Sequence, residues 1–178
     1  MKKIFPILLL ILVMLVGCNS DTVDTPLYNG KSLVIGVIGV APKVREDHVK
    51  FTTISFDELE EDKELSSEFD AIFITKEHLT EAAESKYAEV YINAGIPFFF
   101  IESKKSYVPF IDKEISYEGF PDVNSGEYAV SYYQSGEKGQ VWGYGLYNDK
   151  VNESNIKDAY SRMFSTIESI NNLEQKPL

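Results

Sequence analysis

Three short apolar runs decide what this chain can become. Leu33 to Val40 (LVIGVIGV), Phe69 to Ile74 (FDAIFI) and Ile96 to Ile101 (IPFFFI) carry almost no polar alternation. A strand wetted on one side alternates polar and apolar residues. One covered on both sides does not, and parallel sheets bury their strands this way. Between the second and third runs, from about Glu77, the apolar positions Leu79, Ala82, Ala83, Tyr87, Val90, Tyr91 and Ala94 recur at helical spacing. Gly95 stands where a helix C-cap belongs and Pro97 follows it. Strand, helix, strand is the core of the prediction.

The remaining segments extend that plan. Val49 to Ser55 alternates and is predicted as a neighbouring strand, and Ser55-Phe56-Asp57-Glu58 has the form of a capping box opening a short acidic helix to about Leu65. Ser103 to Asn124, broken by Pro109, Gly119 and Pro121, is predicted as loop with about one helical turn. Glu127 to Gln134 and Gln140 to Tyr147 flank Ser135-Gly136-Glu137-Lys138-Gly139 and read as a hairpin with a loop longer than two residues. Ile156, Ala159, Tyr160, Met163, Phe164, Ile167 and Ile170 form a helical stripe that should pack on the sheet. The expected fold is α/β, a three-layer sandwich with a mainly parallel sheet and a C-terminal β-hairpin plus helix. From Leu33 to Ile101 this order of elements resembles flavodoxin-like and class I glutamine-amidotransferase-like domains, and half of a periplasmic-binding-protein fold. The resemblance is one of order and carries no site residue across.

The N-terminus carries an address. Met1-Lys2-Lys3 is a short positive region, Ile4 to Val16 is apolar, and Leu15-Val16-Gly17-Cys18 follows. The apolar stretch is short for a span of roughly 20 residues and fits a secretory signal. With its small residue before the only cysteine of the chain, the segment resembles the signal peptide and lipobox of bacterial lipoproteins. That resemblance implies removal of residues 1–17, a diacylglyceryl group on Cys18, and a place on the outer face of the cell membrane. Residues 18–31 are polar and aperiodic and read as a flexible tether, leaving 32–178 as a single domain.

Loss of Lys2 and Lys3 from the 17 basic residues, against 28 acids, leaves the mature chain at −13. Nucleic acid, anionic lipid and anionic wall polymer are therefore not expected partners, since they demand a basic footprint. With Cys18 lipidated no thiol remains, which removes disulfides and thiolate chemistry. His48 and His78 lack metal-ligand spacing, and the acids from Asp57 to Glu64 lack that of a calcium loop. Gly36 and Gly39 do not complete a dinucleotide fingerprint. No metal or cofactor is expected.

Ligands of open α/β sheets bind beyond the carboxyl ends of the strands. That rule selects the loops at 41–48, 75–78 and 102–106, with Arg45, His48, Lys76, Glu102 and Ser103 as candidate ligand-site residues. A catalytic reading makes His48 a base, Glu102 its orienting partner and Ser103 the nucleophile; it needs mutual hydrogen-bond reach. A milder reading gives Arg45, Lys76 and a helix start near Thr75 to an anion. The plain alternative pairs Arg45 with Glu46 and Lys76 with Glu77. In the hairpin, Tyr132, Trp142 and Tyr144 are either an interaction surface or aromatics buried under the terminal helix. The expected function is a membrane-anchored extracytoplasmic lipoprotein, anchored through Cys18, whose domain binds an envelope protein or small ligand without catalysis. The alternative is a lipid-anchored hydrolase or transferase.

Overall fold

A computed structural model describes residues 21–174 apart from 24, 62, 63 and 124. The leader at 1–17 and Cys18 lie outside the described residues. Six strands form one sheet: β1 (Leu33–Ile38), β2 (Val49–Thr53), β3 (Ala71–Ile74), β4 (Phe98–Ile101), β5 (Glu127–Ser135) and β6 (Lys138–Gly145). Six helices accompany them: α1 (Phe56–Glu61), α2 (Leu65–Glu68), α3 (Leu79–Ala82), α4 (Ala88–Asn93), α5 (Val108–Ile111) and α6 (Glu153–Glu174). Among the described residues no helix is long and apolar enough to cross a membrane.

The strand order is β2-β1-β3-β4-β5-β6. β2, β1, β3 and β4 run parallel, but β5 is antiparallel to β4 and to β6. The sheet is therefore mixed, with three parallel pairings and two antiparallel ones. The apolar runs located the parallel strands; β6 is antiparallel to β5 because a tight hairpin joins them, whereas the long connection from β4 to β5 does not itself dictate their direction.

The fully buried runs alternate between two cores. Phe98 and Phe100 join one apolar cluster with Ile72, Ile74 and Phe110. Phe99 joins the other with Phe73, Ile35 and Val37, as the two-residue period of a strand requires. The short helices α1 to α5 supply the first cluster. The second is covered by a single helix, α6, whose Ala159, Tyr160, Met163, Phe164 and Ile167 are the predicted stripe. Right-handed crossovers explain the division. The chain leaves β1 outward to β2 on the α6 face, then crosses back past β1 to β3 and β4 on the other. The β1–β2 connection carries no helix, so the face it leaves open is the one α6 fills.

Local details follow from particular residues. The Ser55 hydroxyl accepts from the Glu58 N–H at 3.2 Å and the Glu58 carboxylate accepts from the Ser55 N–H at 2.7 Å, the reciprocal pair of a capping box. The Ser55 N–H, together with the Ser55 hydroxyl donating at 2.8 Å, holds the Glu58 carboxyl below its ordinary pKa. The helix expected from Glu77 onward is interrupted at 83–87, where the buried Tyr91 hydroxyl takes the Ala82 carbonyl at 2.8 Å. The hairpin turn is shorter than expected: Ser135 pairs with Lys138, leaving Gly136 and Glu137, and Gly136 adopts φ +58°, which glycine accepts without strain.

The segment before β1 differs from the coil expected for 18–31. Residues 21–23 and 25–31 lie along α6 from its first turn to its last. The Asn155 side chain, 0% exposed, donates to the Asp21 carbonyl at 2.9 Å and accepts from the Val23 N–H at 3.0 Å. Farther along, Thr25 hydroxyl meets the Asp158 carboxylate, Arg45 donates to the Thr25 carbonyl at 3.2 Å, and the Lys31 N–H reaches Glu168 at 2.9 Å. Tyr28, 4% exposed, is part of the core. Ten residues of extended chain and twenty of helix both span about 30 Å, so the strap matches the helix it follows.

Candidate functional site

The carboxyl ends of β1 and β3 mark the point where one connection departs toward β2 and the other toward β4. Gly39, just past β1, has φ +117°, and a Cβ there would stand 2.0 Å from the Thr75 hydroxyl. Only glycine lets the two strand ends approach this closely. The Thr75 N–H completes the junction by donating to the Ile38 carbonyl at 3.1 Å. Beyond it opens a cleft of about 570 Å³, bounded by Lys43 after β1, Thr75 after β3, Glu102 after β4, Asn152 just before α6 and Lys157 of α6. A second hollow of about 510 Å³ adjoins it, sharing Glu102, Tyr128 and Val151.

Tyr128 reaches the cleft through a bulge. Glu127 pairs with Gly145 and Ala129 with Tyr144, so β5 has one residue more than β6 at this point. Without it Tyr128 would share the face of Val130 and Tyr132. The bulge turns it to the α6 side, where its ring meets Tyr160 edge-on at 6.2 Å. Bulges re-aim side chains in this manner. Burial holds both phenols above their ordinary pKa, Tyr160 furthest because neighbouring Tyr128 adds to the effect. Both are therefore neutral donors at physiological pH.

Backbone strain gathers at the same place. Among the described residues the non-glycine positions with positive φ are Glu102 (57°), Asn148 (50°) and Asp149 (53°). Glu102 lines both hollows, Asp149 lines the second, and Asn148 adjoins it. Glu102 is held by its N–H donating to the Tyr128 carbonyl at 2.6 Å and by Lys76, whose ammonium lies 3.0 Å from its carboxylate. That hydrogen bond raises the Lys76 pKa. A left-handed residue with a side chain costs roughly 1–2 kcal/mol, and such residues cluster at functional sites.

Of the candidate residues, Lys76 and Glu102 meet at the cleft, and Ser103 lies in the adjoining hollow. His48 does not join them. Its loop returns to the start of β2, where the Leu33 N–H donates to the His48 carbonyl at 3.3 Å and the imidazole stacks on Tyr28 at 5.4 Å. A strand the length of β1, about 20 Å, separates it from Glu102 and Ser103. The Ser103 hydroxyl instead turns with the Lys105 backbone at 2.9 and 3.1 Å. Arg45 is also elsewhere, donating at 2.6 Å to Ser161 of α6, so it shares no anion site with Lys76. The partners expected for the two cations are replaced: Lys76 takes Glu102 rather than Glu77, while Glu46 is buried and bound by Ser161, the Tyr28 N–H and the Arg45 N–H.

The three hairpin aromatics do not form one surface. Tyr144 is buried beneath α6 with half-buried Trp142 packed beside it, whereas Tyr132 lies on the opposite face and stacks on Tyr107 at 5.6 Å. The sequence pattern groups Tyr128 with the hairpin aromatics and does not mark it or Tyr160 as lining the cleft. Tyr160 read as one member of an apolar stripe, and nothing local to Tyr128 announces a bulge. Among the described residues no group of three or more His, Asp or Glu side chains could hold a metal ion. No family model, curated protein or solved structure matches the chain.

Proposed function

We propose that this chain is a lipoprotein anchored through Cys18 to the outer face of the cell membrane. Its α/β domain is a binding module that takes a small polar ligand in the cleft at the carboxyl ends of the strands. The observation that carries the binding assignment is the strained backbone at Glu102, which lines both hollows, and at Asp149, which lines the adjoining one, at the place where open α/β sheets receive ligands. Neutral phenols at Tyr128 and Tyr160 offer hydroxyl donors, and the Lys76–Glu102 pair and Lys157 offer charge of both signs at the rim. The separation of His48 from Ser103 supports binding over the nucleophilic mechanism considered for these loops. The lipid assignment rests on the positive start, the apolar run and the Leu15-Val16-Gly17-Cys18 junction.

Native mass spectrometry of the protein extracted gently from its host membrane tests both parts. The expected spectrum shows diacylglyceryl mass on Cys18 and a stoichiometric small molecule, lost in Tyr128→Phe/Tyr160→Phe. An unmodified Cys18 would remove the anchor; a bare chain that also fails to bind a metabolite extract would remove the ligand role. A hydrolase or transferase built on the same loops remains the second reading, favoured by the constrained Glu102 carboxylate, and is tested by turnover that is lost in Glu102→Gln.

A further inference from the structure

The strap reverses the expected attachment of the domain. A chain entering β1 from a free tether would be held by the amino edge of the sheet, where Leu33 begins. Instead Asp21 is fixed at the first turn of α6, beside the cleft, by the side chains of Asn152 at 3.0 Å and Asn155 at 2.9 Å. Cys18 precedes Asp21 by three residues, a length of chain that reaches at most about 11 Å. The far end of α6 lies about 33 Å away for a helix of 22 residues.

The surface beside that attachment point differs from the rest of the domain. The two most exposed large apolar side chains among the described residues, Val40 at 82% and Val151 at 77%, both stand on this edge, and exposed Tyr147 adjoins Val151. The loops at 39–44, 75–78, 102–106, 121–126 and 146–153 hold five lysines and five carboxylates. These loops are therefore neutral on a mature chain of −13; with Asp21, Glu127 and Lys157, which also stand at this edge, the balance is −1, and most of the negative charge lies elsewhere. An anionic headgroup layer repels the other faces and tolerates this one, and lysine stems with apolar tips suit the interface.

Taking the lipid on Cys18 from the reading above, we propose that the carboxyl edge of the sheet rests on the headgroup surface of the anchoring membrane, with Val40, Tyr147 and Val151 as its contacts and the cleft opening toward the lipid. The ligand then arrives along the membrane surface rather than from bulk solution.

The test uses the lipid-modified full chain in vesicles of phosphatidylethanolamine and phosphatidylglycerol in equal parts. A cysteine is added at Val151→Cys or, at the hairpin turn on the opposite edge, at Glu137→Cys, and each carries a fluorophore; the lipidated Cys18 has no free thiol to label. With headgroup-nitroxide lipid as quencher, the label at 151 is expected to lose most of its emission while that at 137 keeps its own. Asn155→Ala, which frees the strap, is expected to narrow the difference. Equal quenching at both positions, or stronger quenching at 137, overturns the proposal while leaving the anchor intact. Intact mass read on the same sample distinguishes the other failure: an unmodified Cys18 removes the anchor and this orientation together.

Discussion

Asn155→Ala is the most informative single substitution, because one fully buried amide joins three separate pieces of chain. Its Nδ2 donates to the carbonyls of Asp21 at 2.9 Å, Lys150 at 3.0 Å and Tyr147 at 3.1 Å, and its Oδ1 accepts from the Val23 N–H at 3.0 Å. An amide has two N–H donors for these three carbonyls, so one hydrogen is shared. Each bond contributes about 1 kcal/mol net, which sets a ceiling near 4 kcal/mol. The real loss is smaller. With the amide gone the strap can lift at residues 21–23 and let water reach the stranded groups, so the loss stops at the free energy of that local opening. The expected global loss is about 2 kcal/mol by urea denaturation, with faster hydrogen exchange at Val23. Asn155→Asp separates the donors from the acceptor. It keeps an oxygen for the Val23 N–H but sets a carboxylate against three carbonyl oxygens, which raises the folded-state pKa of the new side chain. Its deficit therefore grows as pH rises above about 4, whereas that of Asn155→Ala does not change. A loss below about 0.5 kcal/mol for Asn155→Ala, with Val23 exchange unaltered, would refute the claim that the strap is held there.

Two other perturbations check separate parts of the argument. Glu102→Gly relieves the backbone at φ +57°, whereas Glu102→Ala keeps the strain, and both lose the exposed pair with Lys76. Thermal melts should place Glu102→Gly above Glu102→Ala by about 0.5–1 kcal/mol after the added chain entropy of glycine, and the reverse order would exclude strain at this position. Burial, with Glu168 and Asp70 adding to it, pushes the Tyr28 hydroxyl up to about 12. The unfolded chain ionises near pH 10 while the folded one stays protonated, so stability is lost as pH rises from 10 to 12, by about 2 kcal/mol. Tyr28→Phe should remove that part of the alkaline loss, and an unchanged slope of stability against pH would contradict it.

What the sequence discloses and what it withholds divide along a physical line. β1, β3 and β4 are legible because two-sided burial leaves uninterrupted apolar runs at Leu33, Ala71 and Phe98. α6 is legible because one face meets a sheet over its whole length. The capping box at Ser55 and Glu58 is a local contact between near neighbours. The direction of β5 is not local: Phe98 meeting Tyr132 across an antiparallel register depends on which edge of the sheet is free once β4 is laid down. The break at 83–87 is decided by Tyr91 competing for the Ala82 carbonyl, which helical spacing does not reveal. The site suffers most from this distinction. Loop position alone placed Lys76, Glu102 and Ser103 at the carboxyl ends correctly. The same rule misplaced His48, because a loop that begins at the carboxyl end of β1 must finish at the amino end of the parallel strand β2, and His48 immediately precedes that strand.

The strap also explains how a fold without a helix in its first crossover keeps a two-sided sheet. The β1–β2 connection is too short to cover the α6 face, so α6 must do so from the other end of the sequence. A helix lying across strands to which it is joined only through β6 needs lateral fixing. Glu46 and Arg45 from the crossover loop meet Ser161 in the middle of α6, and residues 21–23 and 25–31 run beside it from Asn152 to Asn172. The same contacts that seat the helix therefore set where the N-terminal chain emerges. Since the first turn of α6 is also one wall of the cleft, covering this face brings the lipid-bearing end of the proposed mature chain to the mouth of the site. Lengthening the segment between Cys18 and Asp21 by ten Gly/Ser residues should leave the domain folded, yet free the edge from the membrane by roughly 15–20 Å. Loss of the quenching difference between positions 151 and 137 in that variant would show that the orientation is set by the length of this segment. A retained difference would assign the orientation to the contacts of Val40, Tyr147 and Val151 themselves.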